Sequence, residues 1–369
     1  MKICLLCYRS NPYSGGQGIY LKYIAEEMVR LDSSVRPFFV GSRRGIEASV
    51  LPQRPWPFEL LPLEPLWRRR WWRNVRLPFA LFGSLRAVRA ILAREKPSLV
   101  VGTGGYVAGP VVWAAMNCGV PAVLQEANAY PGIATRWLAR RARQVHLGFP
   151  EARALLKFGP QTQVFDSGNP IPPPPSPPPA KPDAKRKLGF AADRPLVFVT
   201  GGSQGALPIN LAVADALESG ALPGKASLLW QTGQGMLERY LRFRSAGRVS
   251  VEPFIDPVAD AFAAADLVVS RAGGTVASLA AWGLPAVLIP LPSAAAGHQL
   301  SNARAAADAG AAVLLEQSKL TGSTLAANVE ALLSDPARMA DLGAAAARRA
   351  RPNAATEIAS RALQLVQRN

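Results

Sequence analysis

The sequence predicts an α/β chain of two doubly wound parallel-sheet domains, and three observations predict it. Short Val/Leu/Ile runs without polar alternation recur along its 369 residues: "SLVVGTGGY", "PAVLQE", "PLVFVTGGSQG", "ASLLWQTGQG", "DLVVSRAGG", "PAVLIPL" and "AAVLLEQ". Such runs suit strands buried on both faces, and the amphipathic stretches between them suit the crossover helices of parallel βαβ units. One proline-rich break divides the series, and at roughly 150 residues per domain the length is that of about two domains.

The expected boundaries are a first domain over 1–168, a linker over 169–184 and a second domain over 185–350, with 351–369 a C-terminal helix packing back on the first domain. The linker "GNPIPPPPSPPPAKPDAKRK" holds nine prolines from Pro170 to Pro182. That density enforces an extended polyproline II path of about 3 Å per residue. A ligand for a proline-recognition module is the alternative use. Two such domains place a site at the carboxyl ends of their strands, in an inter-domain cleft.

With 49% hydrophobic and 18% charged residues, the composition is globular and excludes a disordered or fibrous chain. Lys plus Arg number 42 against 25 Asp plus Glu, a net of +17, and the excess is lopsided: +13 over residues 1–168 against +4 over 169–369. An anionic partner is implied: nucleic acid, an acidic membrane or a phosphorylated substrate. Three cysteines, Cys4, Cys7 and Cys118, are too few for a disulfide framework and point to a reducing compartment. Cys4 and Cys7 lie inside the apolar run "KICLLCY" and read as core thiols of a strand. Two histidines, His146 and His298, weigh against a His-based metal centre, so no metal and no cofactor is expected.

The N-terminus lacks the long apolar core of a signal peptide. Leu99 to Leu124 is uncharged and long enough to cross a bilayer, but glycines and prolines interrupt it. Irregular backbone in lipid costs several kcal/mol per unsatisfied group. The segment reads as strand, loop, helix and strand.

Four glycine-rich turns follow expected strands: Ser14–Gly18, with Gly15 and Gly16, then Gly102–Gly105, Gly201–Gly205 and Arg271–Gly274. Glycine lets backbone N–H groups approach a ligand, and a helix N-terminus adds about half a positive charge, so four such turns suit a diphosphate. Nucleotide fingerprints fail: "GTGGYV" puts Val107 where a third glycine belongs, and no GxxxxGK[ST] occurs. With no Asp-x-Asp pair for a divalent ion, main-chain dipoles and basic residues are left to stabilise a departing diphosphate.

A second cluster interleaves Trp67, Trp71 and Trp72 with Arg68, Arg69, Arg70 and Arg73. Indoles favour the headgroup region, and arginines favour anionic lipid by about 1 kcal/mol per charge. An anionic membrane surface is the expected partner; stacking on single-stranded nucleic acid and a solvated loop are the alternatives.

From about Pro37 onward the chain resembles the MurG family of N-acetylglucosaminyl transferases. The strings that carry the resemblance are "FFVGSRRGIEASVLP", "GTGGYVAGP", "QEANAYPG", "GNP", "GGSQGALPIN", "QTG", "PFID", "AGGTVASLAAWGLPAVLIPL" and "GHQLSNA", in family order. The resemblance implies a GT-B fold and metal-independent, inverting transfer of N-acetylglucosamine from UDP-GlcNAc. The implied acceptor is undecaprenyl-diphosphate-MurNAc-pentapeptide at the cytoplasmic face of the cell membrane, with the protein bound peripherally and no nucleic acid involved. By position it puts Gly104, Gly105 and Tyr106 on the acceptor diphosphate side, with Glu126 and Asn128 beside them, and Gly15 and Gly16 are expected on that side too. Glu126 is the candidate base, as the ionisable residue left beside the acceptor loop, and capping a helix N-terminus is its alternative role. Asn169, Ser203, Gln204 and Gly205 fall to the donor, the backbone of Phe254 and Ile255 to uracil, and Gly274 and Thr275 to the donor phosphates. His298, Gln299 and Asn302 would hold the sugar.

The chain departs from the family pattern in places. The first glycine loop reads "NPYSGGQGIY" and lacks the family's histidine; Pro172 replaces an arginine, Ser278 a ribose-gripping glutamate, and Ala127 the third residue of "[HQ]EQN". Two further readings follow: a weakened homologue serving as a membrane-surface binding or scaffold protein, and a retaining GT-B transferase with another acceptor, suggested by the first 35 or so residues.

Overall fold

Apolar runs with no polar face become strands that are covered on both sides. The structure, a computed structural model, describes residues 2–6, 17–43, 48, 51–53, 55–63, 77–222, 224–294 and 297–367. Gly15, Gly16, Cys7 and the Trp67–Arg73 cluster lie outside the described residues. The chain divides into two compact units, 1–172 with 352–369, and 173–351.

Among the described residues the first unit holds a seven-stranded parallel sheet in the order β3-β2-β1-β4-β5-β6-β7. Its strands are β1 (Lys2–Leu6), β2 (Arg36–Ser42), β3 (Phe58–Leu61), β4 (Leu99–Gly102), β5 (Ala122–Glu126), β6 (Gln144–Leu147) and β7 (Gln163–Phe165). The two-residue period sends alternate side chains to opposite faces. Val100, Leu124 and Val145 meet α2 (Leu77–Glu95) and α3 (Gly105–Asn117) in one core. Leu99, Val101 and Val123 meet α1 (Gln17–Leu31) in the other. Leu99–Leu124 therefore runs through β4 and α3 into β5. Among the described residues no helix is long and apolar enough to cross a membrane.

The second unit repeats the plan with six parallel strands in the order β10-β9-β8-β11-β12-β13. They are β8 (Leu196–Thr200), β9 (Ser227–Gln231), β10 (Val249–Glu252), β11 (Leu267–Ser270), β12 (Ala286–Leu288) and β13 (Val313–Leu314). Val197, Leu228, Trp230 and Val269 pack with Ile209 and Val213 on one face. Trp230 is fully buried, and its indole N–H donates to Asn210 Oδ1 at 3.0 Å, so the indole nitrogen is not stranded.

Two details concern the linker and the C-terminus. A helix, Lys181–Lys187, begins inside the stretch expected to be linker. Pro182 sits in its first turn, where a missing N–H costs nothing, with Asp183 beside it and Lys185, Arg186 and Lys187 in the last turn, matching the helix dipole. At the far end, Ala354–Gln367 forms a helix whose Ile358, Ala359, Ala362 and Leu363 enter the core of Ile3, Leu21, Ile24 and Met28. Thr356 Oγ1 donates to Glu27 Oε2 at 2.7 Å, and Gln144 Nε2 to the Arg361 carbonyl at 3.1 Å.

Candidate active site

Strand order reverses between β1 and β4 in the first sheet and between β8 and β11 in the second. Ligands of doubly wound sheets bind outside the carboxyl ends of the strands at such a reversal. All four glycine turns follow these four strands. The first lies largely outside the described residues; the other three are described in full.

In the first unit the chain leaves β4 through Thr103 into Gly104 (φ 88°) and Gly105 (φ 84°), a conformation that side chains rarely adopt, and enters α3 with no side-chain cap. The first turn of α3 thus starts without a side-chain cap, at the kind of helix N-terminus that suits an anion. Thr103 Oγ1 is buried with no hydrogen-bond partner among the described residues. Half-buried Tyr106 packs against the core.

Glu126 ends β5 and is 2% exposed. Its Oε1 accepts the Asn128 backbone N–H at 3.1 Å and Asn128 Nδ2 at 3.2 Å; its Oε2 accepts the Gly132 N–H at 3.0 Å, and Thr135 bonds the carboxylate as well. Gly132 caps the short helix Ile133–Leu138. Burial pushes the carboxyl above the ordinary carboxylate range, and these four bonds pull it back. These bonds tie the carboxylate to the 126–132 loop, with its lone pairs largely engaged.

Asn169, expected on the donor side, belongs to the first unit. It is 5% exposed; its Oδ1 accepts from Gln125 Nε2 at 2.8 Å and its Nδ2 donates to the Ala127 carbonyl at 3.0 Å. A Cβ on Gly148 would run into this side chain.

The remaining donor-side residues all lie in the second unit. Gly202 (φ 86°) and Gly205 (φ 71°) shape the turn that carries half-buried Ser203 and exposed Gln204. A Cβ on Gly205 would strike the Thr232 carbonyl, and one on Gly233 the Gln204 backbone, so the turns after β8 and β9 pack main chain to main chain. Gly274 caps α4 (Thr275–Trp282), which places Thr275 and half-buried Ser278 on its first turns. His298 opens α5 (His298–Asp308). Gln299 and Asn302 reach the Arg271–Gly274 turn and its neighbour: Gln299 Oε1 accepts the Leu291 N–H at 2.9 Å, and Asn302 Nδ2, 1% exposed as a residue, donates to the Ala272 carbonyl at 3.1 Å.

Two residues escaped the sequence reading. Arg271 is 7% exposed, donates Nη1 to the Ile289 carbonyl at 3.0 Å, and is held below the ordinary guanidinium range by burial. Gln231 ends β9 and joins the Gly201–Gly205 turn to the Phe254–Ile255 loop. "QTG" and "SRAGG" contain them, but nothing in those strings says what their side chains touch.

Residues 15–147 match the model of the glycosyltransferase family 28 N-terminal domain, and residues 196–360 that of its C-terminal domain. The chain belongs to glycosyltransferase family 28. The N-terminal family 28 match begins at residue 15, inside the segment that suggested a retaining enzyme. A Chlorobaculum parvum protein described as "UDP-N-acetylglucosamine--N-acetylmuramyl-(pentapeptide) pyrophosphoryl-undecaprenol N-acetylglucosamine transferase" is 39% identical over 360 residues, covering 95% of this family 28 chain and 97% of that protein. A Myxococcus xanthus protein of the same description is 40% identical over 347 residues, covering 93% and 88%. The crystal structure of Acinetobacter baumannii MurG superposes with a TM-score of 0.78 at 26% identity, covering 100% of this chain and 99% of that one. The S. aureus MnaA–UDP structure, at 13% identity and a TM-score of 0.66, shares the fold alone.

Proposed function

We propose that this family 28 chain transfers N-acetylglucosamine from UDP-GlcNAc to undecaprenyl-diphosphate-MurNAc-pentapeptide, turning lipid I into lipid II. Identity of 39–40% to transferases so described, over nearly the whole chain, carries the reading. The three described glycine turns support it, each at a strand end beside a reversal of order. The acceptor diphosphate falls to Gly104 and Gly105 with Tyr106 and Asn128, and the donor to the second unit. There the N-terminus of α4, at Gly274 and Thr275, meets the charge of the departing UDP with main-chain dipoles. Label from UDP-GlcNAc should pass into lipid when purified protein meets a lipid I analogue. Label that stays in the nucleotide at saturating substrate overturns the reading.

The acceptor's lipid tail calls for a membrane surface, at the cytoplasmic face. Trp113, Ile133 and Trp137 are 41%, 40% and 79% exposed, with exposed Arg140, Arg141 and Arg143 close in sequence. Apolar and aromatic groups beside arginines suit an anionic bilayer, as does the Trp67–Arg73 cluster outside the described residues. The protein should float with vesicles rich in anionic lipid and stay behind with neutral ones; equal behaviour with both refutes the membrane reading.

A further inference from the structure

We propose that the proline run at the boundary of the two units is a pause site in translation, which lets the first sheet pair its strands before look-alike strands of the second are made. The look-alikes are specific. β4 reads LVVG and pairs with β5, which opens AVL; β11 reads LVVS and pairs with β12, AVL. Their registers coincide. Val100, Val101 and Gly102 face Ala122, Val123 and Leu124, as Val268, Val269 and Ser270 face Ala286, Val287 and Leu288. Each pair also borders a central strand of its sheet, since β4 lies against β1 and β11 against β8.

With the same Leu-Val-Val facing the same Ala-Val-Leu, side-chain packing alone separates the two pairs poorly. Non-local strand pairing is slow, and misassembly between like domains is a characteristic failure of such chains. Order of appearance can supply the discrimination that packing does not: β1, β4 and β5 pair correctly if β11 and β12 do not yet exist.

The run stands where a delay has that effect. One unit ends its first segment at Pro172 and the other opens at Pro173. Pro172–Pro175 and Pro177–Pro179 give seven prolines in eight positions, outside any helix or strand and exposed apart from half-buried Pro174. Proline is a slow substrate in peptide synthesis, because its attacking nitrogen is a secondary amine held in a ring and a preceding proline has a fixed φ. The chemistry is otherwise ordinary: an N–C bond replaces the tRNA ester C–O bond, and the amine proton ends on the tRNA hydroxyl. During the delay the stretch nearest the run is sheathed by the ribosome, while β1–β5 have emerged. Those five are contiguous in the sheet order, and among the described residues the core under α2 and α3 draws on nothing beyond Val164.

Cell-free translation of the full chain, with and without the elongation factor that serves consecutive prolines, tests this. Without the factor, peptidyl-tRNA ending within 172–179 should accumulate, and the factor should clear it. Pro174→Ala with Pro178→Ala leaves no three prolines in a row and removes no hydrogen-bonding group. This double variant should pass the run without pausing, and the share of finished chains that is soluble and protease-resistant should fall. Refolded from urea at full length, where no pause operates, wild type and variant should recover equally. Absence of peptidyl-tRNA ending in the run overturns the proposal, as does an equal soluble share from synthesis. A variant that recovers as poorly from urea as it does from synthesis also overturns it, because the prolines then act in the folded chain.

Discussion

Gln125 and Asn169, 44 residues apart, share a buried 2.8 Å hydrogen bond that pins the last strand-end loop of the first unit to the end of β5. Asn169 also holds the Ala127 carbonyl, so its amide spans both sides of that loop. Asn169→Ala leaves a buried donor and a buried acceptor unpaired and should cost about 1–3 kcal/mol per group. Urea unfolding of the full chain measures it; a loss below about 0.5 kcal/mol counts against the role.

Glu126 separates positioning from proton transfer. Glu126→Gln keeps one acceptor oxygen but turns its NH2 toward either the Gly132 or the Asn128 N–H, so stability should fall by about 1–3 kcal/mol while transfer persists within about tenfold. Glu126→Ala strands the Gly132 and Asn128 N–H groups and should cost about 1–3 kcal/mol. General-base loss is worth about 10²–10⁴ in rate, so a fall of that size in Glu126→Gln with its fold intact makes Glu126 the base.

His146 predicts an acid limb to stability. Burial first, and the Arg361 charge second, push its imidazole down to about 3. It sits against Ser167 Oγ at 2.8 Å and Gln144 Oε1 at 3.3 Å, with Glu357 reached through Ser167. Between the unfolded value near 6.5 and about 3, the unfolded chain binds a proton that the folded chain refuses. Stability from this group is complete above about pH 6.5 and falls by up to about 1.4 kcal/mol per pH unit below it. His146→Phe should flatten that slope between pH 6.5 and 4.5; an unchanged slope assigns the acid limb elsewhere.

Ser278 stands half-buried on α4, four residues after its Gly274 cap. If the ribose lies there, Ser278→Glu supplies a charge-assisted bond worth about 1.5–3 kcal/mol and should tighten UDP about tenfold or more. Calorimetry reads this directly, and unchanged or weaker binding places the ribose elsewhere.

The strands were legible because burial on both faces leaves a mark in one dimension: "LVVG", "LVFVT" and "LVVS" carry no alternation, and each is a central strand. Edge strands left fainter marks. β13 is two residues and β7 three, too short for a pattern. The Lys181–Lys187 helix was hidden because Pro182 reads as a breaker, although a first-turn proline breaks nothing. At the site, the three described glycine turns were readable since each follows its strand directly. Side-chain duties were not. Gln231 meets groups 31 and 24 residues away only because the sheet order makes β9 the neighbour of both β8 and β10.

The return of the last helix to the first unit reverses the expected order of maturation. Residues 173–351 are contiguous and can settle as soon as they are made, whereas the core around Ile3 and Leu21 waits for Ile358 and Leu363. A ribosome halted before Ala354 would therefore harm the half it built first.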